Sequence, residues 1–314
     1  MPPSLNSMMA RLRLKHFRLL VAIDDHRSLV KAAGEVALTQ PGATKALQEI
    51  EVALGGTLFV RTNRGLEPNQ LGHCVIRYAR LITSDVVHLR EEISGLQAGH
   101  GGRLAIGTIM GAVPLATEAL DRLLRQRPAL TVQVVEGTSE ELLRLLDDGR
   151  LDAAICRTSV SHRPEAYDSF ALRQEDLVLV GGPRHPLAGR NDLSFSDVAD
   201  CPWIVCAANM PMRRFAEREF YDAGLRFPPH VIETTSAFVL VRLLALVKSA
   251  VALLSIDAAD FFTDCGLVSP LSVRLKARSE PYYFVTPVSR VLQPGAELLR
   301  NELLTMMEEA AVLA

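Results

Sequence analysis

Several features that define other protein classes are missing from this 314-residue sequence. No apolar run is long enough to cross a bilayer, and the N terminus lacks the hydrophobic core of a secretory signal, so we expect a cytoplasmic protein with no membrane partner. No Gly-rich phosphate loop, nucleophile elbow or HExxH motif occurs, and His185 in PRHPLAGR is expected on a surface loop. The sequence therefore predicts no enzyme, no catalytic residue and no cofactor.

Cysteine is scarce and odd in number, and histidine is scattered. Five cysteines in a protein expected in the cytoplasm argue against structural disulfides. None of the eight histidines lies at ligand spacing from a cysteine or carboxylate, so no metal site is predicted. Cys201 and Cys206 keep a redox-sensing alternative open, although no basic residue lies between or beside them to activate a thiol.

Net charge is also small, but it is unevenly distributed. Residues 1–72 contain nine basic and six acidic side chains, whereas the rest of the chain contains 25 and 30. A basic end on an acidic body fits a protein that contacts DNA through its N-terminal part alone. With 48% hydrophobic and 22% charged residues, the chain is expected to be globular, with two or three domains.

Three helix-period segments near the N terminus predict a helix-turn-helix. Phe17, Leu20 and Val21 give the first helix one apolar face, while Ser28 and Thr39 can cap the two helices that follow. On the third helix, Leu47, Ile50 and Leu54 are expected to form the buried stripe. The outer face, which in a recognition helix meets base edges in the major groove, carries Gln40, Pro41, Thr44, Lys45 and Gln48.

A short hairpin follows the third helix and predicts a wing. Residues 58–60 form an apolar strand, and residues 63–65 lie near the turn. The residues placed to hold phosphates or reach a minor groove are Arg61, Asn63 and Arg64. An ordinary helical bundle with a solvated hairpin is the alternative interpretation.

These segments resemble the DNA-binding domain of LysR-type transcriptional regulators. The resemblance is carried by SLVKAA, TQPGATKALQEIE, LGGTLFVR and EPNQLG, within residues 12–72, and it continues through nearly all of the chain. Asn69-Gln70-Leu71-Gly72 replaces the commoner Thr-x-Ala-Gly, and Ala43-Thr44 replaces Val-Ser or Val-Thr. Residues 1–11 are expected to be a disordered lead-in.

A long amphipathic helix is predicted to follow, over residues 73–97. Its apolar seam consists of Val75, Ile76, Ala79, Ile82, Val86, Leu89, Ile93 and Leu96. Such a seam must pack on its own chain or pair with the same helix of a second chain. The family resemblance implies pairing, because LysR-type regulators dimerise through this helix. Residues 98–102, AGHGG, are expected to be a hinge.

From residue 103 onward, strands alternate with helices, which predicts a mostly parallel α/β fold. The resemblance implies an effector domain of two subdomains, similar to periplasmic solute-binding proteins. We expect the first subdomain over 103–174 and 277–314 and the second over 175–276. The overall fold class is thus α/β: a winged helix-turn-helix, a linker helix and a two-subdomain effector domain.

Ligands in such sheets bind where strands end and helices begin. The residues at those positions are Thr108, Ile109, Met110, Thr158, Cys206, Ala207, Thr234, Thr235, Ser236 and Ser255. Helix-start N–H groups and hydroxyls favour an anion such as a carboxylate or sulfonate, although plain helix capping is the alternative role. The stretches MPMRRFAEREFYDAGL and VALLS resemble a subgroup that controls aromatic acid and sulfonate degradation or responds to sugars.

The family resemblance implies a transcriptional activator or repressor whose assembly geometry changes when a small effector binds. Its expected partners are an interrupted inverted repeat of double-stranded DNA, the effector, RNA polymerase and further copies of the chain, as a dimer or dimer of dimers. A solute-binding protein is a further alternative for the C-terminal part, but it leaves the N-terminal module without a role.

Overall fold

The computed structural model describes residues 3–98, 102–208, 210–276 and 280–313. The chain forms two compact units, with the division near residue 100. The predicted hinge at 98–102 lies largely outside the described residues, as does residue 277, where the return to the first subdomain was expected. Among the described helices, none combines the length and apolar character that a membrane span requires.

The N-terminal unit contains five helices and a two-stranded hairpin. They are α1 (Leu5–Arg11), α2 (Leu14–His26), α3 (Leu29–Glu35), α4 (Gln40–Leu54), β1 (Phe59–Thr62), β2 (Gly65–Pro68) and α5 (Gln70–Ala98). The hairpin is antiparallel, with Phe59 opposite Pro68 and Thr62 opposite Gly65. Gly65 has a positive φ and lies against the Arg27 carbonyl, where a Cβ would collide, so glycine allows the hairpin to pack on the end of α2.

Small side chains hold the helices of this unit close together. Of the expected stripe on α4, only Ile50 is fully buried, whereas Leu47 and Leu54 are half-buried. The other buried positions on α4 are alanines: Ala43, Ala46 and Ala53. The buried face of α4 therefore consists mostly of smaller side chains than predicted. Neighbouring helices pack against its alanine methyl groups rather than against leucine side chains.

Two local predictions for this unit need correction or refinement. The lead-in predicted to be disordered forms α1, because the Ser4 side chain accepts a hydrogen bond from Ser7 N (3.3 Å) and the helix lies against α4. Asn69 does the capping at the start of α5: its Oδ1 accepts from Gly72 N (2.9 Å), while its Nδ2 donates to the Thr57 carbonyl (2.7 Å). The departure from Thr-x-Ala-Gly thus preserves the helix start.

The seam of α5 behaves differently along its length. Ile76 and Ala79 are buried in the core of the N-terminal unit. Farther along, Val86, Leu89 and Ile93 are 43%, 56% and 45% exposed. The first part of the helix therefore packs on its own chain, and the later part has an uncovered apolar face.

The second unit contains two five-stranded sheets flanked by helices. The first sheet has the order β4-β3-β5-β12-β6 and contains β3 (Arg103–Thr108), β4 (Thr131–Glu136), β5 (Ala153–Cys156), β6 (Tyr167–Arg173) and β12 (Tyr282–Pro287). The second has the order β11-β7-β10-β8-β9 and contains β7 (Leu177–Gly181), β8 (Trp203–Val205), β9 (Ile232–Glu233), β10 (Val251–Ser255) and β11 (Ser269–Leu271).

The helices of this unit cover both sheets. They are α6 (Val113–Gln126), α7 (Ser139–Asp147), α8 (Ser196–Ala199), α9 (Pro211–Asp222), α10 (Ala237–Leu246), α11 (Ile256–Asp264) and α12 (Pro294–Leu313). In each sheet one strand, β12 or β7, runs against the other four. Each reversed strand is the first one formed after the chain passes from one sheet to the other. Both sheets are therefore mixed: four strands run in one direction and the reversed strand pairs antiparallel with its neighbours.

Candidate functional site

The exposed face of α4 carries every residue expected there for DNA recognition. Gln40, Pro41, Thr44, Lys45 and Gln48 are all exposed. Thr39 caps the helix by accepting from Gly42 N (3.2 Å), with Pro41 in the first turn. The Thr44 hydroxyl donates to the Gln40 carbonyl (3.0 Å), which leaves the Thr44 methyl group for a contact with a base.

The hairpin presents the expected basic residues at its tip. Arg61, Asn63 and Arg64 are exposed, and Arg64 N donates to Thr62 Oγ1 (3.1 Å), which holds the turn. Within the described residues, Lys45, Arg61 and Arg64 form no ion pair. Their charges are therefore available to phosphate groups.

A cavity of about 500 Å³ lies in the second unit, between the ends of the two sheets. Its first-sheet wall consists of Ile109, Met110, Gly111, Glu136, Gly137, Thr138, Ser139, Glu140, Glu141, Arg157 and Val160. Its second-sheet wall consists of Cys206, Met210, Pro211, Met212, Thr235, Ser236, Ala237 and Phe238, and Glu175 lies at the crossover between the walls. This volume is in the range of small-molecule sites.

Half of the residues predicted to bind the effector line this cavity. They are Ile109, Met110, Cys206, Thr235 and Ser236. Ser236 also caps α10 by accepting from Val239 N (3.3 Å), so both roles weighed for it occur together.

The other five predicted residues lie outside the lining. Thr108 is only 1% exposed, and its hydroxyl donates to the Ile109 carbonyl (3.1 Å). Ser255 is buried behind the wall, where its hydroxyl donates to the Gly111 carbonyl (3.3 Å) and caps α11. Thr234 accepts from Ser236 N (3.1 Å), and Thr158 and Ala207 are half-buried outside the cavity. The strand-end rule found the right loops but not which side chains turn inward.

The charged centre of the cavity was missed by the sequence analysis. Arg157 and Glu175 form a buried ion pair. Arg157 also donates from Nε to the Glu280 carbonyl (3.3 Å), and its backbone N donates to Ser139 Oγ (3.2 Å). Arg157 therefore contacts both segments that connect the two sheets. Arg157 directly follows β5 and directly precedes Thr158. The end of the strand therefore pointed to this position, but the prediction chose the neighbouring Thr158 hydroxyl instead of the Arg157 side chain.

Carboxylates dominate the electrostatics of the first-sheet wall. Glu141 accepts from Thr138 N and Thr138 Oγ1 (both 2.9 Å) at the start of α7, and these bonds hold the pKa of Glu141 below its usual value. Partial burial raises the pKa of Glu136. With Glu140 and Glu175, the described residues of the lining include four carboxylates and the guanidinium of Arg157. This charge balance does not favour the anion expected from helix-start N–H groups.

Two further side chains differ from their predicted surroundings. His185 lies on a surface loop as predicted, but its side chain is buried: it is 4% exposed, and its Nδ1 accepts from Leu187 N (3.1 Å). Cys201 and Cys206 flank strand β8, which places their Cα atoms roughly 15 Å apart along an extended chain, too far for a disulfide. Burial raises the pKa of Cys201 and raises the pKa of Cys206 to about 11, so both thiols are poor nucleophiles.

Comparison with known proteins decides what the two units are. A family described as "Bacterial regulatory helix-turn-helix protein, lysR family" matches residues 14–73, and a family described as "LysR substrate binding domain" matches residues 97–308. This chain belongs to the LysR family. It is thus a DNA-binding transcriptional regulator with an effector-binding domain, and its family is one of regulators rather than enzymes.

Relatives of this LysR-family chain extend over most of its length. The HTH-type transcriptional regulator GbpR of Azospirillum brasilense is 35% identical and covers 91% of this chain and 84% of its own. The hydrogen peroxide-inducible genes activator of Pectobacterium carotovorum subsp. carotovorum is 30% identical over 60% of this chain and 62% of its own. The crystal structure of CbnR, a LysR family transcriptional regulator, covers 93% of this chain and 98% of its own, with a TM-score of 0.64 and 17% identity.

Proposed function

We propose that this LysR-family regulator reads operator DNA through the outer face of α4 and the hairpin β1–β2. The observation that carries the proposal is the free basic charge of Lys45, Arg61 and Arg64 beside exposed Gln40, Thr44 and Gln48. Glutamine matches the hydrogen-bonding edge of adenine, and the Thr44 methyl matches thymine. The relative CbnR has been solved in complex with its target DNA, which supports DNA as the partner.

The test is a gel shift on the DNA upstream of the gene that encodes this protein. Lys45→Ala is expected to weaken specific binding about tenfold, because it removes one charged contact at the centre of the face. Lys248→Ala changes net charge equally at an exposed position of the second unit and serves as the matched control. Equal effects of the two substitutions would contradict a specific role for Lys45.

We further propose that the regulator acts in the cytoplasm as a dimer or dimer of dimers on an interrupted inverted repeat. The exposed part of the α5 seam, with Val86, Leu89 and Ile93, supports pairing of this helix with its copy. A two-fold protein matches a two-fold DNA site. In this proposal the chain divides functionally at residues 12–72, 73–97, 98–102 and 103–314, and contact with RNA polymerase converts DNA binding into activation or repression.

The effector, in this proposal, binds the cavity between the two sheets and changes how the paired DNA-binding units are spaced. A ligand can shift that equilibrium only if it binds one arrangement better than another. Because Arg157 contacts both crossover segments, a ligand that displaces its contacts alters the connection between the sheets directly. The two thiols, half-buried at Cys201 and buried at Cys206, lie far apart and give no support to the redox alternative.

A further inference from the structure

The two walls of the cavity differ in the charge they offer a ligand. On the first-sheet wall, Glu136 ends β4 and Glu140 lies in the first turn of α7. Both side chains are accessible, and among the described residues neither has a hydrogen bond or ion pair. On the second-sheet wall, the described lining residues contribute apolar side chains, hydroxyls and the Cys206 thiol, and none of them is a carboxylate.

Among the described residues, two arginines near the cavity already have carboxylate partners. Arg157 is paired with the buried Glu175. Arg213, whose charge reaches Cys206, is bound by Glu217 (2.8 Å) and Glu233 (3.0 Å). On the first-sheet wall, Arg144 acts on Glu141, while Glu136 and Glu140 have no cationic partner among the described residues. A cation placed against Glu136 lowers the cost of keeping this partly buried carboxylate ionised.

The opposite wall is suited to an apolar body rather than to a second charge. Met212 and the largely exposed Phe238 lie on that wall, and Met110, which follows the first strand, also lines the cavity. Methionine and phenylalanine adapt to flat apolar groups, and an aromatic face also attracts a cation. The cavity thus combines a negative wall with an adaptable apolar one.

We propose that the effector of this regulator is a small organic cation, with an ammonium or amidinium group against Glu136 and Glu140 and an apolar part against Met110, Met212 and Phe238. This proposal rests on the proposed effector function of the cavity, and it replaces the anionic effector expected from the sequence.

A matched set of three ligands tests the charge preference: benzylamine, benzyl alcohol and benzoate, which differ mainly in the charge of one substituent. Saturation-transfer NMR titrations of the full-length protein are expected to show benzylamine binding at least tenfold more tightly than benzoate, with benzyl alcohol between them. Glu136→Gln and Glu140→Gln should each reduce that preference several-fold. Glu308→Gln, an exposed carboxylate on α12, is the control and should leave it unchanged.

A second measurement does not depend on finding a good ligand. Thr235→Cys places a thiol in the cavity, in a Cys74→Ser, Cys265→Ser background that removes the exposed natural thiols. Two methanethiosulfonate reagents are compared, one with a trimethylammonium group and one with a sulfonate group. The trimethylammonium reagent should modify the new thiol faster than the sulfonate reagent does. The ratio of the two rates should be about tenfold higher than the same ratio at exposed Cys265 in the Cys74→Ser protein. Adding Glu136→Gln should lower the ratio.

The outcomes separate the effector class from the regulator function. Equal or faster modification by the sulfonate reagent, tighter binding of benzoate, or no binding of benzylamine would each overturn the cationic effector. None of these results affects the Lys45-dependent gel shift. Loss of that shift would instead contradict the proposed DNA interface.

Discussion

The DNA-facing surface of the N-terminal unit and the cavity of the second unit use charge in opposite ways. On α4 and the hairpin, Lys45, Arg61 and Arg64 are exposed and free of ion pairs among the described residues. In the cavity, the guanidinium of Arg157 is buried against Glu175, and the accessible charges are carboxylates. The two sites thus suit ligands of opposite charge, although the chain as a whole has a net charge of only −2. The average composition therefore does not indicate either site.

Because Arg157 is buried and Lys45 is exposed, replacing them should change the free energy of unfolding by very different amounts. This is the largest effect that we expect. Arg157→Met removes the guanidinium from beside a buried carboxylate and is expected to destabilise the second unit by about 3 kcal/mol or more. Lys45→Ala removes an exposed charge and should change the free energy of unfolding by less than about 0.5 kcal/mol. Urea unfolding followed by fluorescence of Trp203, which is buried in the second sheet, measures the Arg157 effect.

The double substitution Arg157→Met, Glu175→Gln is the control for that prediction, because it removes both charges. It should recover part of the lost stability. A single Arg157→Met variant as stable as the unchanged protein would show that the ion pair is not the structural centre of the cavity.

The exposed part of α5 gives the next largest expected effect. Leu89→Asp places a charge in the proposed helix pair and should raise the dissociation constant of the dimer at least about a hundredfold. Val87→Asp makes the same kind of change about a third of a turn away from the seam, at a residue that is also exposed, and should have a much smaller effect. Sedimentation analysis compares the two variants, and equal association of both would exclude α5 pairing.

Acid should lower the stability of the N-terminal unit, with a smaller effect than the substitutions above. His16 in α2 is buried, and desolvation, aided by nearby Lys15, lowers its pKa below 6.5. The unfolded chain therefore takes up a proton at higher pH than the folded one does. His16 lowers stability as pH falls below about 6.5, by at most about 1.4 kcal/mol per pH unit. Hydrogen exchange of α2 between about pH 7.5 and 5.5 should show this loss, and His16→Gln should reduce it.

The two regions also differ in how far their sequences predict them. The face of α4 follows from local periodicity and capping, because all of its residues belong to one helix, and the structure places each predicted residue on it. The cavity brings together segments far apart in sequence, such as Gly111, Arg157 and Glu175. Local patterns indicated the strand ends but could not tell that Thr108 turns into the core while Arg157 turns into the cavity.

Other errors had the same origin. Strand β6 and helix α11 pack against partners distant in sequence, β12 for the strand and α6 for the helix, and local patterns do not reveal such partners. The His185 side chain was predicted to lie on the surface. Its ring instead lies against Gly181, where a Cβ would meet it at 2.6 Å, a contact that only the folded structure reveals.

The central claim is that the free basic charges of α4 and the hairpin contact DNA, and the salt dependence of operator binding tests it most directly. The slope of log K against log salt concentration is negative, and its magnitude should decrease by about one per DNA-bound subunit for Arg61→Ala and again for Arg64→Ala, because each substitution removes one phosphate contact from each subunit. Glu136→Gln and Glu140→Gln in the cavity should leave the slope unchanged. Slopes that are the same for the arginine variants and the unchanged protein would contradict the assignment of this surface to DNA.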